Sequence, residues 1–233
     1  MGGRPFADRV DAGRALAARL LRDGVVSPEE EVVVLGLPRG GVVVAAEVAA
    51  ALGGLLDVLL VRKVGLPIQP ELAMGAIAAV GDEIETVRQE NVLITAGVDD
   101  ETFEAARAQE VAELRRRAEA YRDGRPPVPL EGRHVVVVDD GLATGATMRA
   151  AIAALRRRQP ARITVAVPVG SPTACRTVAA GVDEVVCLWA PPDFAAVGQG
   201  YRNFRPTTDD EVRAALTGAR PASAGSAGAS DAG

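Results

Sequence analysis

The sequence predicts an α/β fold: one parallel sheet flanked by helices, with a small hood contributed by the C-terminal part. Two observations carry this. Short, wholly apolar runs, Val32 to Gly36 and Val135 to Val138 among them, are the mark of strands buried on both faces. Stretches of helical periodicity alternate with these runs, as in a sheet whose strands are joined by crossover helices.

Taken in order, residues 7–22 read as a helix, with Val10, Leu16, Leu20 and Leu21 as its apolar stripe and Gly24 as its stop. The run 32–36 is a strand, followed by a Pro-Arg-Gly-Gly turn and a helix over 42–52. Residues 56–61 read as a second buried strand, 63–70 as a loop, and 75–80 and 84–88 as two short strands around a Gly81-Asp82 turn. Asp99 or Asp100 caps a helix running to about Tyr121. Arg115, Arg116, Arg117 and Arg122 suit its C-terminal end and read as a solvated face. After a Gly-Pro-Pro linker come a strand over 135–138, a turn over 141–145 and a helix over 146–158. A strand at 163–167, a helix at 171–180 and a strand at 182–188 complete the alternation. Thr208 with Glu211 forms a capping box for a last short helix. Residues 1–216 are expected to form one domain with the hood at roughly 189–206. The Ala-, Gly- and Ser-rich stretch 217–233 is expected to be a disordered tail.

Composition removes several functional classes. The chain has 233 residues, a net charge of −5 and 3% aromatics, so neither a basic nucleic-acid surface nor base-stacking platforms are expected. Cys175 and Cys187 are the two cysteines and rule out a disulfide scaffold. His134 is the single histidine, and there is no Gly-x-Ser-x-Gly nucleophile turn, which makes a histidine-dependent hydrolase a weak reading. Residues 40–61 are apolar, but Glu47, Asp57 and Gly53-Gly54 divide them into a buried helix and a buried strand, not a membrane span. The opening Met1-Gly-Gly-Arg-Pro-Phe-Ala-Asp has no apolar core, so a cytoplasmic protein is expected.

The chemistry concentrates at Val135-Val-Val-Val-Asp139-Asp140-Gly141-Leu142-Ala143-Thr144-Gly145-Ala146-Thr147. A buried strand ends in two carboxylates, and a turn of small residues then opens a helix. The free N–H groups and partial positive charge of that helix start suit a phosphate, and Thr144 and Thr147 add hydroxyl donors. Two acids would repel a bare phosphate; they suit a ligand that also presents hydroxyls or a metal ion, as a sugar phosphate does. A Walker loop would need Gly-Lys-Ser/Thr where Gly145 is followed by Ala-Thr, and the spaced glycines of a dinucleotide fingerprint are absent. A second anion loop is read at Leu35-Gly36-Leu37-Pro38-Arg39-Gly40-Gly41, which joins a cation to paired glycines. Arg62-Lys63 ends the second predicted strand, and Lys63 is the one lysine among 26 basic residues.

These segments resemble the signature of the type I phosphoribosyltransferases, in a form close to that of the adenine enzymes. The resemblance implies that Asp139 and Asp140 hold the ribose hydroxyls of phosphoribosyl pyrophosphate (PRPP), directly or through Mg²⁺ and water. It implies that Gly141, Leu142, Ala143, Thr144, Gly145, Ala146 and Thr147 hold the 5′-phosphate. Arg39, Gly40, Gly41, Arg62 and Lys63 would hold pyrophosphate, with a cis peptide at Pro38–Arg39 and Lys63 acting in some members across a homodimer interface. The aromatic run from Trp189 through Phe194 to Tyr201 and Phe204 resembles the base-sandwiching hood, and makes Trp189 and Phe194 base-binding candidates. Two departures stand out. Ala143 replaces the acid that oxopurine enzymes use, and the Glu-Tyr-Gly element of adenine enzymes is missing, leaving Glu71 as the nearest loop carboxylate. The implied activity is transfer of ribose 5-phosphate from PRPP to a nitrogenous base, of the nucleotide-salvage kind. The alternative is a non-catalytic PRPP or nucleotide-binding regulator on the same fold.

Overall fold

Two strands of uninterrupted valine-rich sequence, β1 (Val32–Gly36) and β6 (His134–Val138), lie side by side and parallel at the centre of the molecule. Every residue of both is buried, which is why neither shows polar alternation. In this computed structural model, which describes residues 6–27, 29–80 and 83–218, they anchor a five-stranded parallel sheet. Its order is β2 (Leu55–Val58), β1, β6, β7 (Arg162–Val169), β8 (Glu184–Trp189). Helices α1 (Arg9–Arg22) and α2 (Gly40–Leu52) cover one face through Leu16, Leu20, Val44 and Val48. Helices α5 (Ala146–Arg156) and α6 (Pro172–Ala179) cover the other through Met148, Ile152, Leu155 and Val178. Each such fully buried aliphatic side chain contributes about 1.5–3 kcal/mol.

The middle of the chain departs from the expectation. The predicted strand 56–61 is two strands: β2 ends at Val58, and β3 (Leu60–Leu66) begins a separate antiparallel sheet with β4 (Gln69–Val80) and β5 (Glu83–Arg88). The loop expected at 63–70 is therefore mostly strand, with a tight turn at Pro67 and Ile68. The apolar run read as one strand because both halves are buried, and only their hydrogen-bonding partners distinguish them. A short helix, α3 (Glu90–Ala96), was not anticipated. The long helix α4 (Asp100–Arg122) starts as expected, with the Asp99 carboxylate accepting from Thr102 N. Phe103, Leu114 and Tyr121 seat α4 against the small sheet.

The arginines at the end of α4 are not all solvated. Arg122 Nε and Nη2 donate to the buried Asp57 carboxylate at 3.1 and 3.2 Å, and Val58 N and Val128 N donate to it at 2.7 and 3.2 Å. Asp57 thus ties β2, α4 and the linker together. Helix α7 (Asp209–Gly218) carries the expected capping box, and residues 217 and 218, expected in the tail, are helical. The rest of that tail and the Gly81-Asp82 turn lie outside the described residues. No helix among the described residues is long and apolar enough to cross a membrane.

His134 plays a structural part. It is buried, with Nδ1 2.8 Å from Glu30 Oε1 and Nε2 2.9 Å from Thr164 Oγ1. Burial lowers its pKa from the ordinary 6.5, opposed in part by Glu30. The unfolded chain therefore takes up a proton that the folded chain refuses. This stability is intact above about pH 6.5 and is lost as pH falls from there through the folded value. Because His134 is the sole histidine, melting temperature is expected to drop between about pH 7.5 and pH 5.5 more steeply in the wild type than in His134→Gln. Identical pH slopes in thermal melts of the two proteins would refute this.

Candidate active site

Two strand-to-helix turns at the C-terminal edge of the parallel sheet form the site. After β1, Leu37 N donates to Val138 O at 2.9 Å, which carries the chain across the end of β6. The Pro38–Arg39 peptide is cis. Helix α2 then begins at Gly40 with no side-chain cap from Arg39. After β6 come Asp139 and Asp140, then a loop stitched to β7: Leu142 N donates to Val169 O at 2.9 Å and Ser171 N to Leu142 O at 2.8 Å. Gly145, at φ 75°, turns this loop into α5, again without a side-chain cap of its own. Its left-handed backbone is one that a side chain would strain. Both helix starts thus leave N–H groups for an anion.

The two turns meet in one cleft of about 410 Å³ lined by Pro38, Arg39, Gly40, Asp139, Asp140 and Thr147, with Arg9, Arg62, Arg117 and Thr207 around it. The approach is close enough to require glycine. A Cβ on Gly40 would lie 1.9 Å from Asp140 Oδ2, and one on Gly41 would lie 2.8 Å from Asp139 Cα. On the other side, a Cβ on Gly141 would meet Val197 Cγ1 at 2.3 Å, so the hood rests directly on the loop.

The two carboxyl groups lie side by side in a tight place. Asp139 Oδ1 accepts from Asp140 N at 2.8 Å, and Asp140 Oδ2 from Arg9 Nε at 2.8 Å. Burial, and then the neighbouring Asp140 charge, hold Asp139 well above the ordinary carboxylate range. A second cation near the pair would relieve that repulsion, which is the chemistry of a hard-ion site. No cluster of three or more potential ligating side chains occurs among the described residues. A divalent ion would therefore share Asp139 and Asp140 with oxygens of the ligand.

Arginine dominates the walls. Arg39 is exposed and has no ion-pair partner among the described residues. Arg62 pairs with Glu110, and Arg117 Nε with Glu113 Oε1 at 2.7 Å. Of the expected site residues, Arg39, Gly40, Arg62, Asp139, Asp140 and Thr147 line the cleft, Gly41 packs beneath it, and Gly141 to Ala146 form its loop. Lys63 does not lie at the edge of the parallel sheet as expected. It is exposed on β3 and faces a second depression against α4 with Glu101, Thr102, Gln109 and Glu110. Glu71 is exposed on β4 and does not line the cleft. Trp189 and Phe194 pack with Ala12, Val169 and Tyr201 and do not line it either. Arg9 and Arg117 were missed. Arg117 hides in a run of like residues, and Arg9 meets its partner 131 positions along the chain.

The model of the phosphoribosyl transferase domain matches residues 6–201. The chain belongs to this family. A Mycobacterium tuberculosis protein named "Putative phosphoribosyl transferase Rv0571c" is 50% identical over 211 residues, 91% of this chain and 46% of that protein. The chain thus spans about half the length of the curated relatives it matches. "Bifunctional protein PyrR" of Roseiflexus sp. is 40% identical over 127 residues, 53% of this chain and 62% of that protein. The crystal structure of TT1426 from Thermus thermophilus is 50% identical, with a TM-score of 0.78, covering 91% of this chain and 97% of that one. Gly40→Ala is expected to push Asp140 and Arg9 aside and to cost about 1–3 kcal/mol. A urea titration giving wild-type stability would contradict the packing described.

Proposed function

We propose that the chain transfers ribose 5-phosphate from PRPP to a nitrogenous acceptor and releases pyrophosphate. The observation that carries this reading is the cleft in which an acid pair lies between two helix starts whose N-cap residues, Arg39 and Gly145, supply no side-chain cap. One ligand with anions at two ends and hydroxyls between them fits that order of donors and acceptors. Arg39 and the α2 amides take the pyrophosphate, Asp139 and Asp140 the ribose 2′ and 3′ hydroxyls, and the amides of 143–147 the 5′-phosphate.

In the reaction the C1–O bond breaks and its electron pair leaves with pyrophosphate. An acceptor nitrogen lone pair forms the new bond to C1. Positive charge grows on the ribose ring, above the two carboxylates, while negative charge grows on the leaving group beside Arg39 and the α2 start. The residues fit Mg²⁺, which when bound would neutralise part of the pyrophosphate charge. Arg62 and Arg117 border the same cleft and add to its positive wall. A homodimer, as the resemblance implies, is the arrangement in which Lys63 would serve a neighbouring cleft. Glu71 lies on the same hairpin.

The acceptor is narrowed by Ala143, whose exposed methyl offers neither donor nor acceptor. Loss of a base-specific hydrogen bond can cost on the order of 10⁴ in discrimination. Hypoxanthine and guanine are therefore expected to be poor substrates, as in the adenine-type form of the motif. A non-catalytic PRPP-binding regulator is the second reading, favoured by the placement of Lys63 and Glu71 outside the cleft.

Pyrophosphate release from PRPP and Mg²⁺ with a panel of bases separates the two. An enzyme releases it with at least one base, whereas a regulator binds PRPP and releases none. Asp140→Asn is expected to weaken PRPP binding at least tenfold, about 1.4 kcal/mol, in a folded protein. Unchanged affinity by calorimetry would overturn both readings.

A further inference from the structure

Helix α1 begins with a cation, Arg9, at the end where the helix dipole disfavours one. Its tertiary contacts account for it. Nε donates to Asp140 Oδ2 at 2.8 Å and Nη1 to the Arg205 carbonyl at 2.9 Å. The guanidinium lies over the Phe204 ring, 4.1 Å from its centroid, and Phe204 in turn stacks on Tyr201 at 5.0 Å. Tyr201 closes the circuit: its hydroxyl donates to the Asp140 carbonyl at 2.5 Å. Asp140 is therefore held at both ends, at the carboxylate by Arg9 of α1, which is itself braced on the hood, and at the backbone by Tyr201 of the hood. The Arg9 and Asp140 side chains are 12% and 17% exposed, so water screens the pair weakly. A planar, forked cation can make an in-plane hydrogen bond and a face contact at once, which an ammonium cannot.

We propose that Arg9 is a positioning residue: it presets the Asp140 carboxylate for ribose and couples the hood to the ligand site. With Oδ2 engaged by Arg9, Oδ1 is the oxygen left toward the ligand. This rests on the reading of the cleft as a PRPP site.

Isothermal titration of PRPP with Mg²⁺ into Arg9→Gln, Arg9→Lys, Asp140→Asn and the Arg9→Gln/Asp140→Asn double variant tests it, with folding checked by thermal melts. Arg9→Gln is expected to weaken binding about tenfold and Arg9→Lys, which keeps the charge, about threefold. In the Asp140→Asn background Arg9→Gln should cost less than about twofold more, because the two act as one unit. An equal loss in both backgrounds would show that Arg9 only packs α1 onto the hood, and would overturn the proposal. So would wild-type affinity in Arg9→Gln beside a weakened Asp140→Asn, with the PRPP reading left standing. Unchanged affinity in Asp140→Asn would overturn the PRPP reading and the role of Arg9 with it. Should Arg9→Gln fail to fold, Arg9→Lys alone and in the Asp140→Asn background decides the same question.

Discussion

Gly40 and Gly41 let the start of α2 press against Asp139 and Asp140 with no room for a methyl group. The strands beneath already run parallel and in register, with Gly36 opposite Val138. The turn that leaves β1 must therefore cross the end of β6 where its acids emerge. From this contact follow the two adjacent helix starts, the cleft between them and the placement of Arg39 at its mouth. The apolar bulk on both sheet faces packs the strands beneath this edge, and preorganised charge needs such support.

The electrostatics follow from the same packing. Burial and mutual repulsion set the acid pair against itself, and the chain answers with arginine. Arg9 engages Asp140 from α1, while Arg39, Arg62 and Arg117 face the remaining space. Two of these are tempered by acids of α4, Glu110 and Glu113, so the wall is positive without being a cluster of bare cations. The chain carries a net charge of −5, yet this cleft gathers its positive charge where a polyanion would enter.

The hood depends on the sheet as much as the site depends on the hood. Phe6 N donates to Gly200 O at 2.5 Å and Arg202 N to Phe6 O at 2.8 Å, so residues near the N-terminus pair with the C-terminal segment. Trp189 and Phe194 fill the seam between them. Tyr201 reaches the Asp140 carbonyl through its hydroxyl, and Phe204, half-exposed, is laid against Arg9.

Much of this was legible from residue order. Strands buried on both faces need unbroken apolar runs, and an anion loop needs small residues and a helix start directly after its strand. Such local requirements leave local traces, so the parallel sheet, the acid pair, the glycine turns and the Asp99 and Thr208 caps could be read one segment at a time. The tertiary structure alone decided what depends on distant partners. The mostly apolar run 56–61 reads the same whether it joins one sheet or two, and hydrogen bonding to β1 or to β4 divides it after Val58. That division turns Lys63 away from the cleft. Arg122 reaches Asp57 across 65 positions and Arg9 reaches Asp140 across 131. An arginine on a helix looks the same in sequence whether it meets water or a buried carboxylate, because its partner is chosen by packing and not by spacing along the chain.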